Sequence, residues 1–322
     1  MKILFADKFP TSGLQVLSGD GHEVELKDEL NRETLPGAIR DSEILVVRST
    51  PVTSTTIDAA QNLHLVIRAG AGTNTIDMDA ASARNLRVCN VPGRNSAAVA
   101  ELVMGLLIAI DRNIPDNVFD LRACHWDKKR YSSARGLYGR NLGVIGLGAI
   151  GLAVLERARG FGLRMRVIEK ADRPERIRQR LRDMNVLCLP NLNSLIDQSD
   201  ILSFHIPSTP ETQGMVNTEF CEKLRPGTIL INTSRGDLID EPALVQALDT
   251  KEIRAGLDVY CNEPDVSNGE FQSVLARHPN VYGTHHIGAS TEQAQTAVAE
   301  GVLEIISAFG RGEILNCVNK VS

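Results

Sequence analysis

Aromatic residues are scarce in this sequence of 322 residues: they make up 4% of it, with a single tryptophan. Aliphatic residues must therefore supply most of the 43% that is hydrophobic, which is typical of parallel sheets covered by helices. Positive charge is not in excess, since the formal net charge is -5, and this gives no reason to expect a nucleic-acid partner. No apolar run reaches the roughly 18 residues of a membrane span, and the N-terminus enters an apolar strand directly, so we expect neither a membrane segment nor a signal peptide.

The six cysteines are scattered, and no two of them form a Cys-x-x-Cys pair. In a chain of this size such cysteines are typical of reduced thiols in a cytoplasmic protein. The seven histidines show no His-Glu-x-x-His or comparable spacing, so the sequence predicts no metal site. His285 and His286 are adjacent, and at a strand end their side chains point to opposite sides, which does not suit a shared metal.

Short apolar runs alternate with helical stretches along the chain, and they fall into two groups. Such alternation predicts an α/β fold with doubly wound parallel sheets. Two groups in a chain of this length predict two domains. The predicted strands are 3–6, 23–26, 44–47, 65–67 and 86–89 in the first group, and 144–145, 165–168, 201–204, 229–232, 255–257 and 281–282 in the second.

Two long helices are predicted outside these groups. Residues 97–110 are apolar nearly all round, which predicts a helix buried between domains or in a subunit interface. A second helix begins near residues 290–292, where Ser or Thr stands before Glu, and runs to about Gly310. The tail that follows, 314–319, is too short for a domain and could return to the first one.

The most informative motif is the glycine turn at 146–151, Gly146-Leu147-Gly148-Ala149-Ile150-Gly151. It lies between a predicted strand and a predicted helix. In such a turn the first glycine adopts a positive φ, the second lets the backbone approach a pyrophosphate, and the third lets helix pack on strand. The helix N-terminus then attracts the phosphates. Glu169 follows at the end of the next strand, where an acid binds the ribose hydroxyls, so the sequence predicts a dinucleotide site.

Three polar residues follow later strands of the second group: Arg235, Glu263 and His286. Each alone has an ordinary interpretation, as a solvated loop residue, a surface acid or a structural histidine. Together, at successive strand ends after a cofactor turn, they suit hydride transfer at a hydroxyl-bearing carbon. The histidine moves the hydroxyl proton, the carboxylate fixes and stabilises its ring, and the arginine binds a substrate carboxylate.

The sequence resembles the D-isomer-specific 2-hydroxyacid dehydrogenase family over nearly its whole length, and within it the phosphoglycerate dehydrogenases. One departure is His285, where the family usually has proline; residues 287–291 nevertheless favour His286 as the catalytic histidine. The motifs that carry the resemblance are 48–49, 68–72, 90–95, the glycine turn, 205–207, 231–236, 258–264 and 284–291.

The resemblance implies a role for each matched residue, with NAD as cofactor. Arg235, Glu263 and His286 are then the substrate-binding arginine, the acid that tunes the histidine, and the general acid/base. It also implies a flavodoxin-like substrate domain, 1–96 plus 287–322, a Rossmann NAD-binding domain, 97–286, an active site in the cleft between them, and a homodimer. The implied cofactor-binding residues are Gly146, Gly148, Ala149, Ile150, Gly151, Glu169, His205, Pro207, Thr212, Thr233 and Asp258.

The substrate is predicted on fewer residues. Arg48, Ser49 and Arg68 match positions where phosphoglycerate dehydrogenases bind the distal phosphate. The alternative for Arg48 is a surface residue at a strand end, and for Arg68 a partner of a nearby carboxylate. The turn Gly70-Ala71-Gly72 and Asn95 are expected to donate hydrogen bonds to the substrate carboxylate. Because the sequence stops near Ser322, we expect no C-terminal regulatory domain.

The leading hypothesis is therefore oxidation of 3-phospho-D-glycerate by NAD to 3-phosphohydroxypyruvate, a step toward L-serine. Glu169 favours NAD over NADP because a carboxylate repels a 2′-phosphate, although Lys170 and Arg173 weaken that preference. The alternative within enzymes is a glyoxylate or hydroxypyruvate reductase, or another D-2-hydroxyacid dehydrogenase. The alternative from another class is an NAD-sensing binding protein like the corepressors that share this fold.

Overall fold

The computed structural model describes residues 1–264 and 268–321. The chain divides into two compact units: one contains Met1–Asn95 and the chain from Ala289 onward, and the other is Ser96–Gly288. Ser322, the last residue of the predicted substrate domain, lies outside the described residues. Among the described residues, no helix is long and apolar enough to cross a membrane.

The first unit is a five-stranded parallel sheet with strand order β2-β1-β3-β4-β5, covered by helices. This order reverses between β1 and β3, and in open α/β sheets ligands bind beyond the carboxyl ends of the strands at such a switch. Its strands are β1 (Lys2–Phe5), β2 (Glu23–Leu26), β3 (Ile44–Val47), β4 (Leu65–Arg68) and β5 (Arg87–Asn90); its helices are α1 (Thr11–Gly19), α2 (Leu35–Ala38), α3 (Ser54–Ala59), α4 (Met78–Ala83) and α13 (Glu292–Gly310).

Helix α13 covers one face of this sheet. It begins at the predicted place because Thr291 caps it, its hydroxyl accepting a hydrogen bond of 3.1 Å from the backbone N–H of Ala294. Val302, Ile305 and Ile306 of this helix are buried in the same core cluster as strand residues of β1, β3 and β4. The helix is therefore fixed to the sheet by burial of its apolar face.

The C-terminal tail returns to the first unit and lies along β5. Val318 donates a backbone hydrogen bond of 2.9 Å to Val88, and Asn90 donates one of 3.2 Å to Asn316. The side chain of Asn319 adds two more, accepting from Val88 N and donating to Leu86 O, both at 2.8 Å. The edge strand β5 is thus paired rather than open to solvent.

The second unit is a seven-stranded parallel sheet with strand order β12-β11-β10-β9-β6-β7-β8, so its switch point lies between β6 and β9. The two doubly wound parallel sheets predicted from sequence are confirmed. The elements of this unit are α5 (Ser96–Arg112), α6 (Ile114–Arg122), β6 (Asn141–Ile145), α7 (Ala149–Gly160), β7 (Arg164–Ile168), α8 (Glu175–Asp183), β8 (Leu187–Leu189), α9 (Leu192–Asp197), β9 (Ile201–Phe204), α10 (Thr218–Lys223), β10 (Ile229–Asn232), α11 (Glu241–Thr250), β11 (Arg254–Leu257), α12 (Val274–Arg277) and β12 (Val281–Gly283).

Helix α5, predicted to be buried between domains or in a subunit interface, instead packs largely within the core of its own unit. Val103, Leu107 and Ile110 belong to the core cluster that covers one face of the seven-stranded sheet. Large exposed apolar side chains follow this helix instead: Phe119 of α6 is 73% exposed and Trp126 is 81% exposed.

Candidate active site

The glycine turn sits at the switch point of the second unit. Gly146 has a φ of +98°, and a Cβ there would collide with the backbone carbonyl of His205 on the neighbouring strand end. A Cβ on Gly151 would likewise collide with the carbonyl oxygen of Gly146. Gly148, the residue before α7, has no heavy atom within 4 Å of its would-be Cβ, so the backbone is open on that side. Helix α7 begins with Ala149 and Ile150. The tight packing at Gly146 and Gly151, together with open space at the N-terminus of this helix, fits a bound pyrophosphate.

Glu169 follows β7 directly, as predicted, and its carboxylate is 48% exposed. A hydrogen bond from the Cys188 thiol, followed by one from the backbone of Lys170, lowers the pKa of this carboxyl group. Arg173 also lies near, with Nη1 3.9 Å from Oε1 of Glu169. The carboxylate is therefore ionised near neutral pH and can accept hydrogen bonds from ribose hydroxyls.

His205 follows β9, and it is not an acid–base group. Its Nε2 lies 2.8 Å from the hydroxyl of Ser203, and burial lowers the pKa of the ring to about 3. The imidazole is therefore neutral at physiological pH. Its Nδ1 is buried and has no hydrogen-bond partner in the structure. A buried polar atom without a partner fits a ligand that completes its bonding.

Pro207 and Thr212 belong to the loop after His205. The hydroxyl of Thr212 accepts from Thr209 N and donates to Pro207 O, both at 2.8 Å, so it closes this loop on itself. Thr233 is different: it follows β10, is buried, and its hydroxyl has no partner in the structure. Among the predicted cofactor residues, His205 and Thr233 thus carry the unsatisfied polar atoms.

Glu263 interacts with both of the other predicted catalytic residues, His286 and Arg235. Its Oε2 lies 2.6 Å from Nδ1 of His286, and its Oε1 accepts a hydrogen bond of 2.7 Å from the backbone N–H of Tyr260. A carboxylate only accepts, so Nδ1 carries the proton and Nε2 faces away from Glu263. Within the part of the chain that the structure describes, no other side chain bonds this ring. His286 is half exposed, which suits a group that exchanges a proton with a ligand.

Arg235 lies in the electrostatic field of the same carboxylate. Burial lowers the pKa of its guanidinium, while Glu263 and Asp237 oppose that shift. Gly236 brings the loops together: a Cβ there would stand 2.5 Å from the backbone nitrogen of Cys261, so the loop after β10 packs directly on the loop that carries Glu263. The structure thus brings together guanidinium, carboxylate and imidazole at the carboxyl ends of β10, β11 and β12.

Asn232 shapes the turn that carries Arg235. It is 1% exposed at the end of β10, its Nδ2 donates to Arg235 O at 2.8 Å, and its Oδ1 accepts from Ser234 N at 3.0 Å. Sequence reasoning missed this residue. An asparagine that ends an apolar strand and precedes Thr-Ser-Arg is a recognisable Asx-turn signal.

Asp258 holds the loop of His286. This buried carboxylate accepts from the Thr284 hydroxyl at 2.6 Å and from the backbone N–H groups of Ile287 and Gly288, both at 2.8 Å. His286 has a φ of +51°, in the left-handed region that costs about 1–3 kcal/mol for such a residue. Three bonds to Asp258 offset that strain. Asp258, predicted beside the nicotinamide, thus also fixes the position of the loop that carries His286.

Replacing Asp258 with asparagine will lower both stability and turnover. An amide cannot accept on both sides, so at least one N–H of the loop loses its partner, at a cost of about 1–3 kcal/mol. Urea unfolding and kcat measure the two effects. Asp249→Asn is the matched control, because this carboxylate is 64% exposed and lies 3.1 Å from Nε2 of His278, outside the predicted site. An unchanged kcat in Asp258→Asn would contradict the positioning role.

Two of the predicted substrate residues, Arg48 and Ser49, lie on a loop bonded to Asp7, a residue that the sequence analysis missed. Asp7 follows β1, and its Oδ2 accepts from the backbone N–H groups of Arg48, Ser49 and Thr50 at 2.6, 3.1 and 3.1 Å. The backbone N–H groups of this loop are therefore used internally. The Arg48 side chain reaches Ser290, whose hydroxyl lies 3.3 Å from Nη2.

Arg68 and Gly70 are in close contact beyond β4. Gly70 has a φ of +144°, and a Cβ there would collide with the guanidinium of Arg68. The glycine turn 70–72 continues toward β5, where Asn90 donates a hydrogen bond of 2.6 Å to Ala71 O. Asn95 has a buried Oδ1 without a hydrogen-bond partner in the structure. Arg68 thus ends β4 and Arg48 follows the neighbouring strand β3, both at the carboxyl edge of one sheet.

Comparison with known protein families gives a match for most of the second unit. Residues 104–288, more than half of the chain, match the family described as "D-isomer specific 2-hydroxyacid dehydrogenase, NAD binding domain". The chain belongs to this family. Its second unit is accordingly an NAD-binding domain, and the predicted cofactor, NAD, is confirmed.

Relatives within the family carry different names. The D-3-phosphoglycerate dehydrogenase of Methanocaldococcus jannaschii is 39% identical over 99% of this chain, which spans 59% of that protein's length. The hydroxypyruvate reductase of Thermotoga maritima is 38% identical over 88% of this chain and 90% of that protein. A glyoxylate reductase structure from Paecilomyes thermophila superposes with a TM-score of 0.85 at 27% identity, covering 99% of this chain and 98% of that one.

Proposed function

We propose that this chain catalyses the NAD-dependent oxidation of 3-phospho-D-glycerate to 3-phosphohydroxypyruvate. The observation that carries the proposal is the Glu263–His286 pair with Arg235 in the field of the same carboxylate. These groups stand at strand ends of an NAD-binding unit. The phosphoglycerate dehydrogenases, at 39% identity to this chain in one archaeal example, support the choice of substrate.

In this reaction His286, Glu263 and Arg235 have separate roles. NAD, when bound, supplies the acceptor for the hydride of the substrate. His286 accepts the hydroxyl proton on Nε2, because Glu263 holds Nδ1–H and thereby fixes the tautomer. Glu263 also stabilises the imidazolium that results. Arg235 binds the substrate carboxylate with its planar fork of N–H donors.

The phosphate of the substrate needs cationic groups of its own. We propose that Arg48 and Arg68 supply them, since both follow or end neighbouring strands at the switch-point edge of the first unit's sheet. Arg48 is oriented by Asp7 through its backbone and touches the Ser290 hydroxyl. Arginine suits phosphate because its donors match the geometry of two phosphate oxygens.

Replacing Arg48 with alanine will raise KM for 3-phosphoglycerate by about 10-fold or more, from the loss of a charge-assisted bond of about 1.5–3 kcal/mol. KM for D-glycerate, which lacks the phosphate, will change little. Steady-state kinetics on both acids measure the difference. Arg40→Ala is a control in the same unit, because Arg40 is exposed and lies outside the predicted site. Equal effects on the two acids would contradict a phosphate contact.

A hydroxypyruvate reductase is the second candidate. The Thermotoga relative favours it, since its identity to this chain, 38%, is close to the 39% of the phosphoglycerate dehydrogenase. The two candidates share the catalytic residues and differ in the phosphate. A higher kcat/KM for hydroxypyruvate than for its phosphorylated form would select the reductase.

The test of the proposal is NADH formation by the purified chain with a panel of D-2-hydroxy acids. We expect 3-phosphoglycerate to give the highest kcat/KM, above glycerate and lactate. Preference for an unphosphorylated acid would overturn the substrate and leave the family chemistry intact. Binding of NAD without turnover of any acid would favour the NAD-sensing binding protein instead.

We also propose that the chain forms a homodimer through α6 and the segment after it. Phe119, Leu121, Trp126 and Tyr138 are 73%, 55%, 81% and 89% exposed, an unusual concentration of large apolar side chains. Sedimentation equilibrium should give twice the chain mass. Phe119→Glu should shift it toward the monomer, whereas a monomeric wild-type chain would contradict the proposal.

A further inference from the structure

Cys89 and Cys317 stand directly opposite each other in the first unit. Cys89 lies in β5, Cys317 lies in the C-terminal tail, and the two form an antiparallel β-bridge. The flanking backbone bonds run from Val318 N to Val88 O and from Asn90 N to Asn316 O. Those bonds leave Cys89 and Cys317 as a non-hydrogen-bonded pair, the register in which opposing side chains come closest.

This register matches the geometry of a disulfide. Non-hydrogen-bonded partners have Cα atoms about 4.5 Å apart, inside the range of about 4.4–6.8 Å that disulfides span. Burial raises the pKa of the Cys89 thiol to about 12, and the neighbouring Cys317 adds to that shift. Closing the bond therefore needs little movement of the backbone.

The two sulfurs differ in access. Cys89 is 1% exposed in the core beside β4 and the tail. Cys317 is only partly buried, and its Sγ lies 3.5 Å from the backbone and side-chain oxygens of Asn319. An oxidant in solution thus meets Cys317 first, and Cys89 can act only as the resolving thiol.

We propose that Cys89 and Cys317 are a redox modification site that closes into a reversible disulfide. The oxidant is a small disulfide of the glutathione type. Cys317, as thiolate, attacks one of its sulfurs, forming a mixed disulfide and releasing one thiol. Cys89 then attacks the Cys317 sulfur, its proton passes to the departing thiolate, and the second thiol is released. The two cysteines are oxidised by two electrons, and the small disulfide is reduced to two thiols.

The bond fastens the C-terminal tail to the edge of the sheet. It also stiffens the neighbouring turn, because Asn90 and Val91, which follow Cys89, bond Ala71 O at 2.6 Å and Gly70 O at 2.9 Å. The cross-link joins positions 89 and 317, so it closes most of the chain into one loop. A loop of that length strongly restricts the unfolded state.

The experiment uses the full chain incubated with oxidised glutathione or with dithiothreitol, followed by alkylation of free thiols and non-reducing tryptic digestion. Cleavage after Arg87, Arg94, Arg311 and Lys320 places the two cysteines in peptides 88–94 and 312–320. We expect these peptides to be linked in the oxidised sample alone. We also expect the oxidised protein to melt about 5 °C or more above the reduced protein.

Two serine variants make the outcome specific. Cys317→Ser should lose both the link and the rise in Tm, while Cys124→Ser, whose cysteine is exposed and belongs to the other unit, should keep both. A glutathione adduct that persists on Cys317 without the link would overturn the proposal. So would a link from Cys317 to any cysteine other than Cys89, or a Tm that does not change on oxidation.

Discussion

Replacing His286 with asparagine will lower kcat by about 10³-fold, the usual size of a general acid–base contribution. Asparagine is chosen because it tolerates the left-handed conformation, with its φ of +51°, better than most residues. The loop can therefore keep its bonds to Asp258, and the loss reports on proton transfer rather than folding. Initial rates of NADH formation at saturating substrate measure the effect.

The dissociation constant for NAD should change by less than about twofold in the same variant, because no interaction of His286 with the glycine turn is needed for binding. His285→Asn is the matched control: its side chain is exposed, it is the immediate neighbour, and it should retain kcat. The assignment fails if His285→Asn loses as much activity as His286→Asn, or if His286→Asn abolishes NAD binding.

Replacing Arg235 with lysine will raise KM for the hydroxy acid by about 10- to 100-fold. Lysine keeps the charge but not the planar fork, and a charge-assisted bond to a carboxylate is worth about 1.5–3 kcal/mol. Arg235 is held by the turn of Asn232 and lies in the field of Glu263, so a more flexible ammonium cannot occupy the same position. Steady-state kinetics with varied acid at saturating NAD give the value.

Arg225→Lys is the control for this substitution. Arg225 is exposed and pairs only loosely with Asp200, at 3.6 Å, so its replacement should leave KM unchanged. The Tm and the NAD affinity of Arg235→Lys should stay close to those of the wild-type chain. A normal KM in Arg235→Lys would show that another group binds the substrate carboxylate.

Much of the second unit could be predicted from local sequence signals. Steric contacts require glycine at both ends of the glycine turn, since Gly146 and Gly151 lie against backbone atoms that exclude a side chain. Glu169, Arg235, Glu263 and His286 were placed at strand ends by counting from apolar runs. This works because parallel strands end at a common edge of their sheet.

What the sequence did not reveal depends on tertiary contacts. Strand β8, Leu187–Leu189, was missed because three residues at a sheet edge carry too weak a pattern, and Leu187 is 49% exposed. Asp7 and Asp258 look like ordinary acids after strands. Only the folded chain shows that each accepts three hydrogen bonds from a loop distant in sequence.

The central claim is that His286, Glu263 and Arg235 act on one small hydroxy acid beside the nicotinamide. A crystal structure of the chain with NADH and an unreactive analogue of the acid tests it most directly. We expect Nε2 of His286 within hydrogen-bond distance of the oxygen on C2, and the Arg235 guanidinium paired with the carboxylate. An analogue bound elsewhere, with the imidazole and the guanidinium facing solvent, would contradict the account.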